Sequence, residues 1–581
     1  MKNLFILFLA SIICVAFIQV NISGSYSYFN QLTKNTKTYK SNSPAGCSPN
    51  LSAIDFNATT NSIPLLDGWG NHRMPVTSGN DSANIFFQQG VNMYYGFHII
   101  EAMASFEKSI RFDDTFAMGY WGKALAFGPN INDIGYAASA DAIIAVQKAK
   151  SLYSHCTAVE KALIDAMETR YSPDTSQQRD HLNQLYADAM KKVHIAFPTS
   201  SDAAALYADA LMIQHPWDLY DKYYNPKQWT PRIVEVLEKL VEQFPGNPGA
   251  SHYYIHAIEG SKHPEKGLKV ANRLGSLMPG LAHLVHMPSH IYIRSGYYSE
   301  GAEVNENAVK GYYNYFSKFP VTANNAFLYL SHNRHMQAAC AAMDGQFVKA
   351  LKYSNDTQSS VDSIWIDGGG YFGVYAQFMY MSPYLSLVRF GKWDELLAAQ
   401  PVADSRVYAN AMWRFARGLA YARKHQFENA DKELQKMLAN KSNPQLQESP
   451  TAFNPGIAAV EVAERILKAT VAEEKNQLPD AIKLLKEAVN REDSMLYNEP
   501  KDWLLPARQY LGNALLKAKQ YSEAEQVFKQ DLTINPHNAW SLTGLRNALA
   551  NQGKKKEQMA VEQKVKKALS RSDTQITSSV F

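Results

Sequence analysis

Cysteine is nearly absent from this chain, with four in 581 residues at Cys14, Cys47, Cys156 and Cys340. Thiols so few and so widely spread exclude a disulfide framework and leave room for one bridge at most. No C-x-x-C occurs, which removes zinc ribbons and dithiol redox motifs. A dominant charge is missing as well: 58 Lys and Arg stand against 54 Asp and Glu, for a net charge of +4. With no basic stripe, nucleic acid is not an expected partner. The lysine-rich stretch 553–567 mixes with Glu and Gln on an expected helix and reads as a solvated terminal cap. Patterns of the H-E-x-x-H, G-x-S-x-G and phosphate-loop kinds are absent, so the familiar metalloprotease, esterase and nucleotide-hydrolase signatures do not apply.

Long apolar runs are also scarce. The N-terminal one follows Met1-Lys2-Asn3 and covers residues 4–20. It reads as a secretory signal, residues 1–24, with an uncleaved N-terminal anchor as the alternative and the only expected membrane contact. Ile12 and Ile13 before Cys14 argue against lipidation there. The bulk of the chain is therefore expected to be periplasmic or secreted. Residues 25–63 are polar and rich in Ser, Asn and Thr, the composition of a flexible leader.

From Pro64 onward helix pairs recur. Leu511, Gly512, Leu515, Tyr521, Ala524, Phe528 and Pro536 occupy the large, small, aromatic and closing-proline positions of a 34-residue helix–turn–helix repeat. Trp413, Ala416, Tyr421, Phe427 and Ala430 repeat the pattern, as do Phe86, Gly90, Ala102 and Phe106. The period breaks at 441–456, rich in Asn, Pro, Ser and Gln. The expected fold is an all-α, right-handed tetratricopeptide-type α-solenoid of about ten helix pairs. It divides into a solenoid over 64–440, a boundary loop over 441–456 and C-terminal repeats over 457–581.

Several segments are more particular than the repeat consensus. They are 70–75 (GNHRMP), 117–132 (AMGYWGKALAFGPNIN), 247–259 (NPGASHYYIHAIE), 284–294 (LVHMPSHIYIR) and 331–336 (SHNRHM). In these the chain resembles a family of bacterial tetratricopeptide-repeat proteins of unsettled activity. The resemblance covers most of the chain after the leader and implies the fold, with little about function. Relatives carry two or three adjacent histidines in the first motif. Here His72 is followed by Arg73 and Met74, which makes it a weak candidate ligand.

The residues that carry chemistry are histidines. His252/His256 and His286/His290 are i, i+4 pairs 34 positions apart, one repeat period, so all four imidazoles are expected on equivalent helix faces. Phasing on Pro245, Gly296 and Gly345 puts His252 and His256 at slots 5 and 9 of one first helix. It puts His283, His286 and His290 at slots 2, 5 and 9 of the next, and His332 and His335 at slots 2 and 5 of a third. These slots line the concave groove, so seven histidines are expected there. An insertion around 312–325 accounts for the longer interval before the third unit.

Neutral imidazole is the common nitrogen ligand of transition metals, and rings from neighbouring helices can converge on an ion. The expectation is a divalent transition metal, Zn or Cu, held by a subset of His252, His256, His283, His286, His290, His332 and His335. If the protein is an enzyme, zinc there points to hydrolysis and copper to redox chemistry, and the residues alone leave open whether it is one. Glu259, on the same face as His256, is the candidate base, and Arg294, four residues after His290, the candidate anion clamp. The rival reading is a non-catalytic scaffold, free of metal, whose groove binds a small molecule, peptide or protein. His98 and His215 read as packing histidines. The insertion from His215 to Trp229 is either a lid over the groove or packed decoration.

Overall fold

The computed structural model describes residues 56–132, 140–174, 176–319, 323–450 and 452–581. The expected signal, the leader as far as residue 55, and Cys14 and Cys47 lie outside the described residues. Among those described, regular structure is helical apart from one isolated bridge between Tyr220 and Pro226. Each helix packs chiefly on its neighbours in sequence, the mark of a solenoid built from successive helix pairs. No helix among the described residues is long and apolar enough to cross a membrane.

Eight helices position the histidines and their surroundings. They are α1 (Asp81–Tyr95), α2 (Ile99–Phe112), α3 (Pro248–Ile258), α4 (Leu268–Leu277), α5 (Ala282–His286), α6 (Pro288–Ser295), α7 (Tyr298–Lys318) and α8 (Ala323–Met343). Asparagine starts the first helix of several pairs: Asn80, Asn247 and Asn538 each accept from the backbone N–H three residues on, satisfying a donor the helix cannot. Within pairs the turn repeatedly uses one left-handed residue, at Phe97, Gly296, Gly345, Gly391, His425, Asn476, Lys519 and Gly553. Glycine takes that conformation without strain. Phenylalanine does not, and Phe97 is the one large apolar residue among these turns.

Two sequence expectations are modified. The polar leader expected through residue 63 already contains a helix, Phe56–Ser62, with Thr59, Thr60 and Ile63 buried. Its Ser/Thr/Asn composition conceals the packing of Ile63, whose carbonyl accepts from Lys108 Nζ at 2.7 Å. Of the insertion expected near 312–325, residues 312–318 and 323–325 belong to α7 and α8, which are 21 residues long each, and residues 320–322 lie outside the described residues.

The interlock between pairs is visible at two distant places. Phe106 sits between Gly90 and Gly122, where an added Cβ would lie 2.7 and 2.4 Å from its ring. Phe528 sits in the same way between Gly512 and Gly544, at 2.4 and 2.3 Å. In both triplets a second-helix ring is wedged between the first helices on either side, and the glycines make its slot.

The array also folds back on itself. Trp540 Nε1 donates to the Ala342 carbonyl at 3.1 Å. Asp573 accepts the backbone N–H groups of Phe347 and Val348 at 2.6 and 2.9 Å, capping a helix 226 residues earlier. The C-terminal repeats therefore lie against the middle of the chain.

Replacing Gly544 by Ala should destabilise the protein by about 1–3 kcal/mol in urea unfolding, because the locked ring cannot yield and overpacking exceeds the gain in helix propensity. An unchanged or raised midpoint would show that the wedge is loose.

Candidate metal centre

Six of the seven predicted histidines converge on the inner face, in two groups of three. The first group is His252, His256 and His283, and the second is His286, His290 and His332. One rule generates both. Each triad takes slots 5 and 9 from one repeat and slot 2 from the next. Rings at i, i+4 share a triad, whereas His283 and His286, at i, i+3, have their centroids 5.9 Å apart and serve different triads. The series stops where its residues stop: His335 occupies slot 5 of the third unit, and its slot-9 partner is Ala339.

Nε2 atoms meet within each triad. In the first, His252 Nε2 lies 3.1 Å from His256 Nε2 and 3.2 Å from His283 Nε2. In the second, His286 Nε2 lies 2.7 Å from His290 Nε2 and 3.2 Å from His332 Nε2. The His286–His290 contact survives a break in the helix. Pro288 has no N–H for the ladder, yet Met287 keeps right-handed helical angles, so α5 and α6 continue one axis.

The other ring nitrogens are tied to acceptors. His252 Nδ1 donates to the Tyr95 carbonyl at 2.6 Å. His286 Nδ1 donates to Asn305 Oδ1 at 2.7 Å, and Asn305 Nδ2 donates to the Gly301 carbonyl, which fixes the amide's orientation. Glu259 spans the triads: its carboxylate accepts from His256 Nδ1 at 3.0 Å and from His290 Nδ1 at 2.5 Å. A neutral imidazole that donates through Nδ1 presents a bare lone pair at Nε2. In the His252–His256 pair, then, two Nε2 lone pairs face each other across hydrogen-bonding distance, whereas His290, protonated between two carboxylates, donates through Nε2 to His286.

Electrostatics agree with rings held neutral. Burial pushes His252, His283 and His286 well below the ordinary histidine range. Burial, helped by the neighbouring His290, brings His256 and His332 down to about 3. His290 is the exception: burial opposes its charge, but the Glu499 and Glu259 carboxylates overcome this and raise it to about 10. Glu499 reaches His290 Nδ1 from the C-terminal part of the chain. Burial and the facing Glu259 push the Glu499 carboxyl up in turn.

The groove expected to be open is covered. His252 and His286 are 0% exposed and the other triad residues, apart from half-buried His332, no more than 5%. Phe97, held left-handed at φ 57°, stacks on His256 and His283 and packs tilted on His252, its centroid 4.4 Å from that of His252. Trp217, at φ 61°, stands edge-on to His256 at 5.3 Å, so the 215–229 insertion does cover the site. Backbone strain of this kind persists only where the surroundings hold it. Tyr329 packs on His283 at 4.8 Å.

The remaining predicted residues lie elsewhere or act differently. His335 is buried against Phe378 with both ring nitrogens unpartnered, outside either triad. His72 Nε2 pairs with Asp202 at 2.7 Å, away from the triads. Both Glu259 oxygens are committed to ring nitrogens, so it orients the His256 and His290 rings. Arg294 donates to the carbonyls of Glu259 and Ser261 and lies between the rings of Tyr224 and Tyr497, which makes it a fastener of the site wall. Glu499, Phe97 and Asn305 were missed by repeat phasing. Behind Glu499 lies a cavity of about 60 Å³ lined also by Arg294, Tyr298, Arg389 and Tyr497.

No known protein family matches the chain, and no curated protein matches it. Among solved structures it is similar to a human IFIT1 dimer with m7Gppp-AAAA, at 13% identity over 86% of this chain and 92% of that one, with a TM-score of 0.28. It is similar also to yeast Tom70, at 10% identity over 84% and 92%, with a TM-score of 0.26. Scores this low leave the fold to rest on the chain's own helix packing.

His335 offers a test of burial free from metal ligation. Its folded-state pKa of about 3 lies below the unfolded value of about 6.5, so unfolding takes up a proton. Its neutral form therefore contributes fully above pH about 6.5, and that contribution is lost as pH falls toward 3. His335→Leu should accordingly gain about 2 kcal/mol more stability, relative to wild type, at pH 5 than at pH 7.5. An equal difference at both pH values in denaturant titrations would contradict the shift.

Proposed function

We propose that this is an exported helical-repeat protein whose buried histidines bind a divalent transition metal, zinc or copper, and that the metal acts on a small molecule. The facing Nε2 lone pairs of His252 and His256 carry the reading, and the second triad repeats the arrangement of rings with a proton between His290 and His286. Two nitrogens each 2.0–2.1 Å from one tetrahedral ion lie about 3.3 Å apart, close to the separations within the triads. A cation removes the repulsion that the Nδ1 hydrogen bonds impose. Carboxylate, amide and carbonyl acceptors behind ligating histidines are the usual outer shell of such sites.

Three nitrogen ligands leave a fourth position free, the pattern of catalytic rather than structural zinc. Zinc there would lower the pKa of a bound water for hydrolysis, and copper would serve redox chemistry. Glu259 and Glu499 hold His256 and His290 in register, and Phe97 and Trp217 exclude bulk water. The burial of the rings weighs against a peptide lying along the groove, because a peptide would need them at the surface. Export rests on the N-terminal segment 1–24.

Elemental analysis of protein purified without a nickel column should find at least one equivalent of zinc or copper per chain. His290→Ala should lower that content while the helical circular dichroism is kept. Less than about a tenth of an equivalent, with no uptake on titration, would rule the metal out.

A further inference from the structure

We propose that the site is binuclear, with one ion in each triad and an oxygen-donor ligand, water or hydroxide, bridging the pair. The proposal deepens the metal reading and rests on it. The repeat rule is the first support. His252, His256 and His283 stand to their repeats as His286, His290 and His332 stand to theirs, so whatever chemistry the first triad performs the second is built to perform as well.

Geometry separates the ions. In each triad the Nε2 atom of the central ring, His252 or His286, lies 2.7–3.2 Å from those of the other two, which suits ligands of a common centre. The rings so linked are centred 4.6–5.0 Å apart, whereas between triads those of His256 and His290 are centred 5.7 Å apart, and those of His283 and His286 5.9 Å. Six nitrogens at 2.0–2.1 Å from one ion would require the triads to collapse together, which the packed helices prevent.

Glu259 supplies the second, independent support. Its two oxygens contact Nδ1 of one ring in each triad, so a single carboxylate sets the spacing of the two centres. A third grouping of His256, Glu259 and His290 also falls within ligand range. It uses the same Nδ1 atoms at hydrogen-bond distances, and therefore acts as the strut between two centres.

Each ion would keep one position free of protein, and the two triads stand side by side. Adjacent cations with open positions bind a shared oxygen, as two-metal sites about 3.5–4 Å apart do. Phe97, Trp217 and Tyr329 press on the rings of the first triad.

The test is a stoichiometry with a magnetic readout. Full-length protein, stripped with chelator and titrated with Cu(II), should bind two equivalents. His252→Gln and His332→Gln, each removing one ligand from a different triad, should retain about one each. In the doubly loaded protein the Cu(II) paramagnetic resonance signal should integrate to well under half the copper present, because the bridged spins couple. The single-triad variants should show nearly full intensity. One equivalent in wild type, or loss of all copper from either variant while its helical dichroism is intact, would overturn the binuclear proposal and leave a single-ion site. Two equivalents with full spin intensity would overturn the bridge. No copper or zinc bound by wild type would overturn the metal reading itself. The wild-type titration stands alone should a variant fail to fold.

Discussion

Glu259 holds one ring from each triad, and much of the centre depends on that double contact. A carboxylate buried at this depth is costly unless its oxygens are satisfied, and here two imidazole N–H groups satisfy them. In accepting from Nδ1 it turns both Nε2 atoms inward, as a lone pair on His256 and as an N–H on the protonated His290 that donates to His286. The Tyr95 carbonyl and Asn305 do the same for His252 and His286. Four tautomers are thus set by groups that themselves have fixed orientations, so the ligand geometry is imposed by backbone and outer-shell positions.

That arrangement needs shelter, and the chain invests strain in providing it. Phe97 and Trp217 both sit at positive φ, and both apply their rings to the first triad. Other helix pairs make the Phe97 turn with glycine or with polar residues, so the turn alone does not call for an aromatic. The insertion bearing Trp217 is fastened separately: Tyr220 donates to the Ala257 carbonyl at 2.7 Å, and Arg294 lies over Tyr224. The cover is attached to the same helices that carry the ligands.

The repeat made much of this legible from sequence. A 34-residue echo and slot phasing name the six clustered histidines, because period and helix geometry together fix direction. They also name His335, which the structure sends to Phe378 because Ala339 leaves no partner on its face. What phasing could not see was burial. A slot pattern identifies the concave face and says nothing of what covers it, so Glu259 and Arg294 looked like groups reaching for a substrate. Their oxygens and nitrogens turn out to be spent on rings and carbonyls. Glu499 carries no repeat signal, since it lies on a connecting segment brought home by the curvature of the whole array.

That curvature has a consequence for how the protein is made. Both triads are complete in the chain once residue 332 has emerged, whereas Glu499 and the C-terminal braces at Trp540 and Asp573 arrive much later. Repeats can nucleate and fold as they appear. There is consequently an interval in biogenesis when all six imidazoles are assembled and one wall of the chamber is still unbuilt. Closure is the final step of assembly, and the protein's own length sets the delay before it.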